Sequence, residues 1–232
     1  MECDEVLTWL RRRGRRANIE GMARFGITST RVFGVSMAEM RPLARRLGRN
    51  HQLASDLWAS GWHEARILAS LVDDPDTVTR RQMEQWVRDF DNWAVCDSVC
   101  LNLFDRTPYA WATVERWVAR PAEFQRRAGF ALIAALAVHD KGAGDAAFER
   151  LLPLIARGAD DPRNFVKKAV SWALRQVGKR NRALNRRALA VAVQLTRADS
   201  PAARWVGHDA RRELADARVA ARLEKRAGRS AL

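Results

Sequence analysis

Cysteine is scarce in this sequence, and long apolar segments are missing. The 232 residues include three cysteines, Cys3, Cys96 and Cys100, which are too few and too irregularly spaced for a disulfide framework. No stretch of about 18 apolar residues is present, so the sequence predicts no membrane-spanning helix. The opening MECDEVLTWLRRRGRR is acidic and then basic, unlike a signal peptide. We therefore expect a protein of the reducing cytoplasm with its thiols in the core.

Motifs for several common kinds of catalysis are missing as well. The sequence has no glycine-rich phosphate loop, no HExxH motif and no cysteine–histidine spacing typical of a metal site. Its four histidines, His51, His63, His139 and His208, are scattered along the chain. The sequence therefore predicts neither a metal ion nor a cofactor.

Lysine is also scarce, yet the chain is strongly basic. Five of its 41 cationic residues are lysine and the other 36 are arginine, and the formal net charge is +14. A field of this sign attracts polyanions and raises their local concentration. A nucleic acid is the partner that this charge favours. A basic protein without a nucleic-acid partner, or with an acidic protein partner, would show the same charge.

The chain reads as helices throughout. It has one tyrosine, few β-branched runs and no alternating strand pattern. Helical segments are separated by short breaks, among them GITST at 26–30, DDPD at 73–76, DDPR at 160–163 and DSP at 199–201. Pairs of segments recur about every 35–45 residues, which is typical of HEAT-like repeats stacked as antiparallel helix pairs in a curved α-solenoid. An ordinary globular all-helical domain is the alternative.

This pattern predicts one HEAT-like repeat domain over residues 1–232, with 1–17 and 222–232 as frayed tails. We expect a monomer with a basic concave face that follows a duplex backbone. Within residues 18–30 we expect a short helix and then an irregular loop. The reason is that Gly26 and the residues Ile27 to Thr30 form a poor helix sequence.

Two tryptophans lie outside the apolar stripes of their helices. Between residues 91 and 104 the core stripe is formed by Cys96, Val99, Cys100 and Leu103. Trp93 and Asp97, four residues apart, share a face at the margin of that stripe. Trp172 also faces away from the core stripe of its helix and has Lys168 four residues before it and Arg175 three after. That core stripe is formed by Val166, Ala169, Val170, Ala173 and Val177. A boundary tryptophan beside a solvated aspartate is the plain structural interpretation of Trp93 and Asp97.

Cations surround the second tryptophan and open another helix. A basic groove with aromatic platforms is how proteins approach nucleic-acid sugars and bases. We expect the stretch from Lys167 to Arg187 to contact phosphates, through Lys167, Lys168, Arg175 and Lys179. Arg127 opens an otherwise apolar helix, where it needs a partner, either internal or a DNA phosphate. We expect Arg127→Ala to weaken DNA binding with little loss of thermal stability.

Several motifs resemble those of a known family. They are WAVCD at 93–97, QRRAG at 125–129, NFVKKAVSWALRQ at 164–176 and, more loosely, MARFG at 22–26. In order and separation they are similar to the HEAT-like repeat alkylpurine DNA glycosylases of the AlkD type, from about residue 20 to 215.

The resemblance implies a cofactor-free hydrolase that cuts the N-glycosidic bond of cationic alkylpurines, such as 3-methyladenine and 7-methylguanine, in duplex DNA. It implies that Trp93 and Trp172 contact the deoxyribose, that Asp97 is the catalytic carboxylate and that Arg127 contacts DNA. It further implies that the damaged base is not drawn into a protein pocket.

One departure from the family keeps another function open. Active members use an N-terminal helix that reaches the minor groove, and the weak helix sequence at 26–30 stands at that position. The alternative is a non-catalytic DNA-binding HEAT-like repeat protein that prefers bent or branched DNA. A protein-interaction solenoid is the third interpretation. As a DNA-binding protein, the chain would be associated with the nucleoid.

Overall fold

Helices are the regular elements of residues 1–230, the part of the chain that the computed structural model describes. The predicted all-α class is confirmed. The contacts divide the chain into two compact units, Met1–Tyr109 and a second that begins at Ala110.

The first unit is built around α5, which packs against α3, α4 and α7. Its helices are α1 (Cys3–Arg13), α2 (Arg16–Arg24), α3 (Met37–Leu47), α4 (His51–Ala59), α5 (His63–Val72), α6 (Arg80–Arg88) and α7 (Trp93–Asn102), followed by a 3-10 turn at Phe104–Arg106. The starts of three of these helices follow from the sequence. The side-chain oxygens of Asn50, Thr79 and Asn92 accept hydrogen bonds from backbone amides in the first turns of α4, α6 and α7, which have no partner within the helix.

The N-terminal segment follows the sequence prediction in one part and departs from it in another. Helix α2 ends at Arg24, Gly26 has a φ of 78°, and an irregular loop runs on to α3, so the short helix and loop are confirmed. The expected fraying of 1–17 is wrong for most of that segment. Helix α1 is formed there, because Val6 and Leu10 lie one turn apart and are fully buried.

A buried carboxylate holds the irregular loop in place. Glu64 on α5 is fully buried and accepts hydrogen bonds from the backbone amides of Phe33, Gly34 and Val35, at 2.9, 2.6 and 3.2 Å. These bonds satisfy amides that an irregular segment would otherwise leave unpaired. The loop between α2 and α3 is therefore anchored to α5 although it is not helical.

The second unit stacks successive helices against one another. Its helices are α8 (Ala110–Val118), α9 (Glu123–His139), α10 (Asp145–Glu149), α11 (Leu152–Gly158), α12 (Asn164–Gly178), α13 (Arg182–Leu195), α14 (Pro201–Leu214) and α15 (Ala217–Ser230). Helix α9 packs on α8 and α12, and α12 packs on α13 and α14. The short link between α8 and α9 makes them an antiparallel pair. Since α15 spans 217–230, the tail predicted as frayed from 222 is helical as far as 230, and residues 231–232 lie outside the described residues.

Contacts within this unit recur at one spacing. Arg127 contacts Phe165, Ser171 contacts Asp209, and Arg175 contacts Glu213, each across 38 positions of sequence. This interval lies inside the predicted repeat length and reflects equivalent helices stacked side by side.

Among residues 1–230, no helix combines the length and apolar character needed to cross a bilayer. Within the same residues, no group of three or more histidine, cysteine, aspartate or glutamate side chains is placed to hold a metal ion.

Candidate nucleic-acid interface

Helix α7 places Trp93 and Asp97 at its margin. The Asn92 side chain accepts from the amides of Ala94 and Val95 at 3.0 and 3.1 Å, so the helix begins at Trp93. The predicted core stripe is confirmed, since Cys96, Val99, Cys100 and Leu103 are fully buried. Trp93 and Asp97 are half-buried one turn apart. Burial raises the pKa of the Cys100 thiol well above its ordinary value, as expected of a core cysteine.

The N-terminal loop fixes the indole of Trp93. Its Nε1 donates a hydrogen bond of 2.9 Å to the carbonyl oxygen of Phe25, 68 residues earlier in the chain. The Phe25 side chain is itself 70% exposed. Sequence reasoning did not single out Phe25, and the loose MARFG resemblance was the one signal that pointed to it. Phe25, the residue that anchors Trp93 through its carbonyl oxygen, therefore has an exposed phenyl ring.

Helix α12 repeats this arrangement in the second unit. Its predicted core stripe is confirmed, since Val166, Ala169, Val170, Ala173 and Val177 are fully buried. Trp172 is half-buried outside that stripe. With the Gln176 amide turned so that its oxygen faces donors, that oxygen accepts from Trp172 Nε1 at 3.0 Å and from Lys179 Nζ at 3.3 Å. The Trp172 indole is thus tied to its own helix one turn further on.

Three side-chain contacts join α12 to α14. Each contact lies four residues after the previous one on both helices. Lys167 Nζ lies 4.8 Å from the ring centre of Trp205, and the Ser171 hydroxyl donates to Asp209 at 2.7 Å. The Arg175 guanidinium donates to Glu213. Because the residue numbers rise together on both helices, α12 and α14 run side by side in the same direction. Trp205, which is 38% exposed, is an aromatic residue that sequence reasoning missed.

The four predicted DNA-binding cations differ from one another in their contacts. Lys168 is exposed, and Lys167 lies over Trp205. Arg175 and Lys179 both form ion pairs with Glu213. The helical pattern placed all four cations on one segment, but it did not reveal which of them meet a carboxylate.

Arg127 is the predicted DNA contact that the structure places in the interior. Its side chain is 6% exposed, and Nη1 donates to the carbonyl oxygen of Phe165 on α12. Sequence reasoning expected this arginine to contribute little to stability. That expectation does not fit a buried guanidinium that connects α9 to α12.

We expect Arg127→Ala to lower the free energy of unfolding by about 1–3 kcal/mol, because it empties buried volume and removes a charged donor from a backbone carbonyl. Thermal unfolding measures the effect. Arg126→Ala is the neighbouring control and should cost less, because its partner Asp161 keeps the Arg163 guanidinium at 2.6 Å. Unchanged thermal stability with weakened DNA binding would favour the surface role instead.

Comparison with solved structures identifies the fold of the chain. A solved structure superimposes with a TM-score of 0.76 at 19% identity, covering 91% of this chain and 95% of the other. That protein is described as one of a new family related to the HEAT-like repeat DNA glycosylases, with affinity for branched DNA structures. The similarity confirms the predicted HEAT-like repeat fold.

The other three comparisons are with a second solved structure, with curated sequences and with a family model. A designed armadillo repeat protein in complex with the peptide (KR)4 aligns with a TM-score of 0.39 at 14% identity, over 81% of this chain and 80% of the other. A sequence search of curated proteins found no match. The model of the family described as DNA alkylation repair enzyme matches residues 6–214, which is most of the sequence. The chain therefore belongs to the DNA alkylation repair enzyme family.

Proposed function

We propose that this protein binds double-stranded DNA and hydrolyses the N-glycosidic bond of cationic alkylated purines such as 3-methyladenine and 7-methylguanine. The observation that carries the proposal is the margin of α7, where Trp93 and Asp97 lie one turn apart and the indole is held by the Phe25 carbonyl. Family membership supports a role in DNA alkylation repair.

This hydrolysis requires few catalytic groups from the protein. A purine alkylated at a ring nitrogen carries positive charge and is already a good leaving group, so no general acid is needed. The transition state is oxocarbenium-like at the sugar. The Asp97 carboxylate stabilises that cation and orients the attacking water. Indole faces attract the same cation, worth about 1–2 kcal/mol each when desolvated.

The structure supports this role for Trp93 through its orientation. A hydrogen bond from Nε1 to a backbone carbonyl limits rotation of the indole, so its face keeps one direction. A ring that is fixed before the reaction costs no reorganisation as charge develops at the sugar. Trp172, tied to Gln176, meets the same requirement.

Binding to duplex DNA should depend on salt. We expect the logarithm of the association constant to fall linearly with the logarithm of salt concentration, by about 0.9 for each phosphate contact. Fluorescence anisotropy with an undamaged duplex between 50 and 200 mM salt, a range of about fourfold, measures this slope. Binding that ignores salt, or no binding at low salt, would contradict a DNA partner.

Excision tests the catalytic part of the proposal. Release of 7-methylguanine from a methylated duplex should be measured in single turnover, with enough protein to saturate the DNA. Wild-type protein that binds this duplex but releases no base would contradict hydrolysis while leaving DNA binding intact.

A second candidate is recognition of branched DNA without excision. The observation that favours it is α2, which ends at Arg24 and is followed by an irregular loop where active glycosylases carry a helix. The superimposed protein with affinity for branched DNA supports the same candidate. Tighter binding to a four-way junction than to a duplex of equal length, together with no excision, would establish it.

A further inference from the structure

The face that α12 and α14 share contains two carboxylates among its cations. Glu213 accepts hydrogen bonds from Arg175 and from Lys179, the latter at 2.5 Å. Asp209 lies 3.7 Å from Arg175 and 2.6 Å from Arg212. Two of the cations predicted to contact phosphate are therefore already bound to an anion of the protein itself.

These ion pairs are only partly covered. The side chains of Arg175, Lys179 and Glu213 are 26%, 22% and 30% exposed. Partly exposed ion pairs contribute little to stability, since water and salt screen them. A DNA phosphate offers the same two cations further acceptor oxygens and the same sign of charge. Exchange of Glu213 for phosphate is thus chemically a replacement of one anion by another.

The ion pairs remain charged under neutral conditions. Partial burial would by itself raise the pKa of Glu213, but the hydrogen bonds from Lys179 and Arg175 lower it below its ordinary value. Glu213 is therefore ionised at pH 7. Protonation does not release the two cations, and another anion has to displace the carboxylate.

The hydrogen bonds around Glu213 extend to Trp172, one of the predicted catalytic residues. Lys179 donates to the Gln176 oxygen that accepts from Trp172 Nε1. Glu213 is therefore connected to the indole through Lys179 and Gln176. A phosphate that takes Lys179 from Glu213 would bind directly beside Trp172.

We propose that Glu213 competes with DNA phosphate for Arg175 and Lys179 and so limits the affinity of the α12–α14 face for undamaged duplex. The inference rests on the DNA binding in the proposed function and does not require excision. A chain with a net charge of +14 binds polyanions without regard to sequence or damage. Competition from Glu213 lowers this nonspecific affinity for DNA at the face where cations surround Trp172.

Glu213→Gln tests the competition, because it keeps the shape of the side chain and removes its charge. We expect about tenfold tighter binding to undamaged duplex and a salt slope steeper by about 1–2, since each freed cation that meets a phosphate adds about 0.9. Asp216→Asn is the matched control. It also removes one negative charge, and the 2.8 Å ion pair of Asp216 is made with Arg218 instead of Arg175 or Lys179. The control should change affinity less than about twofold.

A second set of variants separates competition from a change in folding. Lys179→Gln should weaken binding only slightly in the wild-type background, where Glu213 holds the lysine. In the Glu213→Gln background the same change should weaken binding about tenfold, because the freed lysine then contacts phosphate. Equal effects of Lys179→Gln in both backgrounds would overturn the proposal even if Glu213→Gln were partly unfolded.

The outcomes distinguish this inference from the proposed function. If wild-type protein binds duplex and Glu213→Gln matches Asp216→Asn, the competition is refuted and DNA binding stands. If the Glu213 variant alone binds, the competition is supported. If neither wild type nor any variant binds at 50 mM salt, a concentration at which phosphate contacts are strong, both ideas fail.

Discussion

Asp97→Asn is expected to slow the release of 7-methylguanine by about 10²–10³-fold, the usual cost of losing one well-placed electrostatic contact. Asparagine keeps the shape of the side chain and removes the negative charge beside the developing sugar cation. Trp172→Ala should cost less, because an indole offers the cation only a quadrupole and a stacking face. Both residues are half-buried and lie outside the buried stripes of α7 and α12, so folding should survive.

Single-turnover release under saturating protein measures this effect, with circular dichroism to confirm folding. Asp91→Asn is the matched control, because Asp91 is an exposed carboxylate two residues before Trp93. It should leave the rate nearly unchanged. A folded Asp97→Asn protein with the wild-type rate would eliminate the mechanism.

Gly129→Ala is expected to lower the free energy of unfolding by about 3 kcal/mol or more, at the upper end of what overpacking costs. A Cβ at this position would lie 2.5 Å from the amide nitrogen of Val118 and 2.9 Å from the carbonyl carbon of Trp117. Both atoms belong to the backbone of α8, which cannot rotate away as a side chain can. Glycine is required here because α8 and α9 approach each other too closely for a Cβ.

Thermal unfolding tests this prediction, and a fall in Tm of roughly 6–12 °C is expected for a domain of this size. Gly21→Ala is the control. Gly21 lies inside α2, and an added Cβ there meets nothing within 4 Å. This change should stabilise the protein by up to about 1 kcal/mol, because alanine favours helices. Equal melting temperatures for the two variants would mean that α8 and α9 can separate at little cost.

The helices and their buried stripes could be predicted from the sequence because both depend on neighbours three or four residues away. Cys96 and Val99 on α7, and Val166 and Ala169 on α12, were assigned to the core from spacing alone, and all are fully buried. The end of α2 before Gly26 was predicted for the same reason, since a glycine and β-branched residues oppose a helix locally. These properties are decided within a single turn or two.

The partners of the polar side chains were decided by the tertiary structure. Sequence spacing placed Arg175 beside Trp172 and Lys179 on the same basic stretch, but Glu213, their partner, lies 38 and 34 residues away. Trp93 finds its acceptor 68 residues earlier, at Phe25. Arg127 needed a partner on chemical grounds, and only the packing of α9 on α12 selected the Phe165 carbonyl. A helical period specifies which residues share a face, whereas the identity of the facing helix sets whether a cation there meets a carboxylate, a carbonyl or solvent.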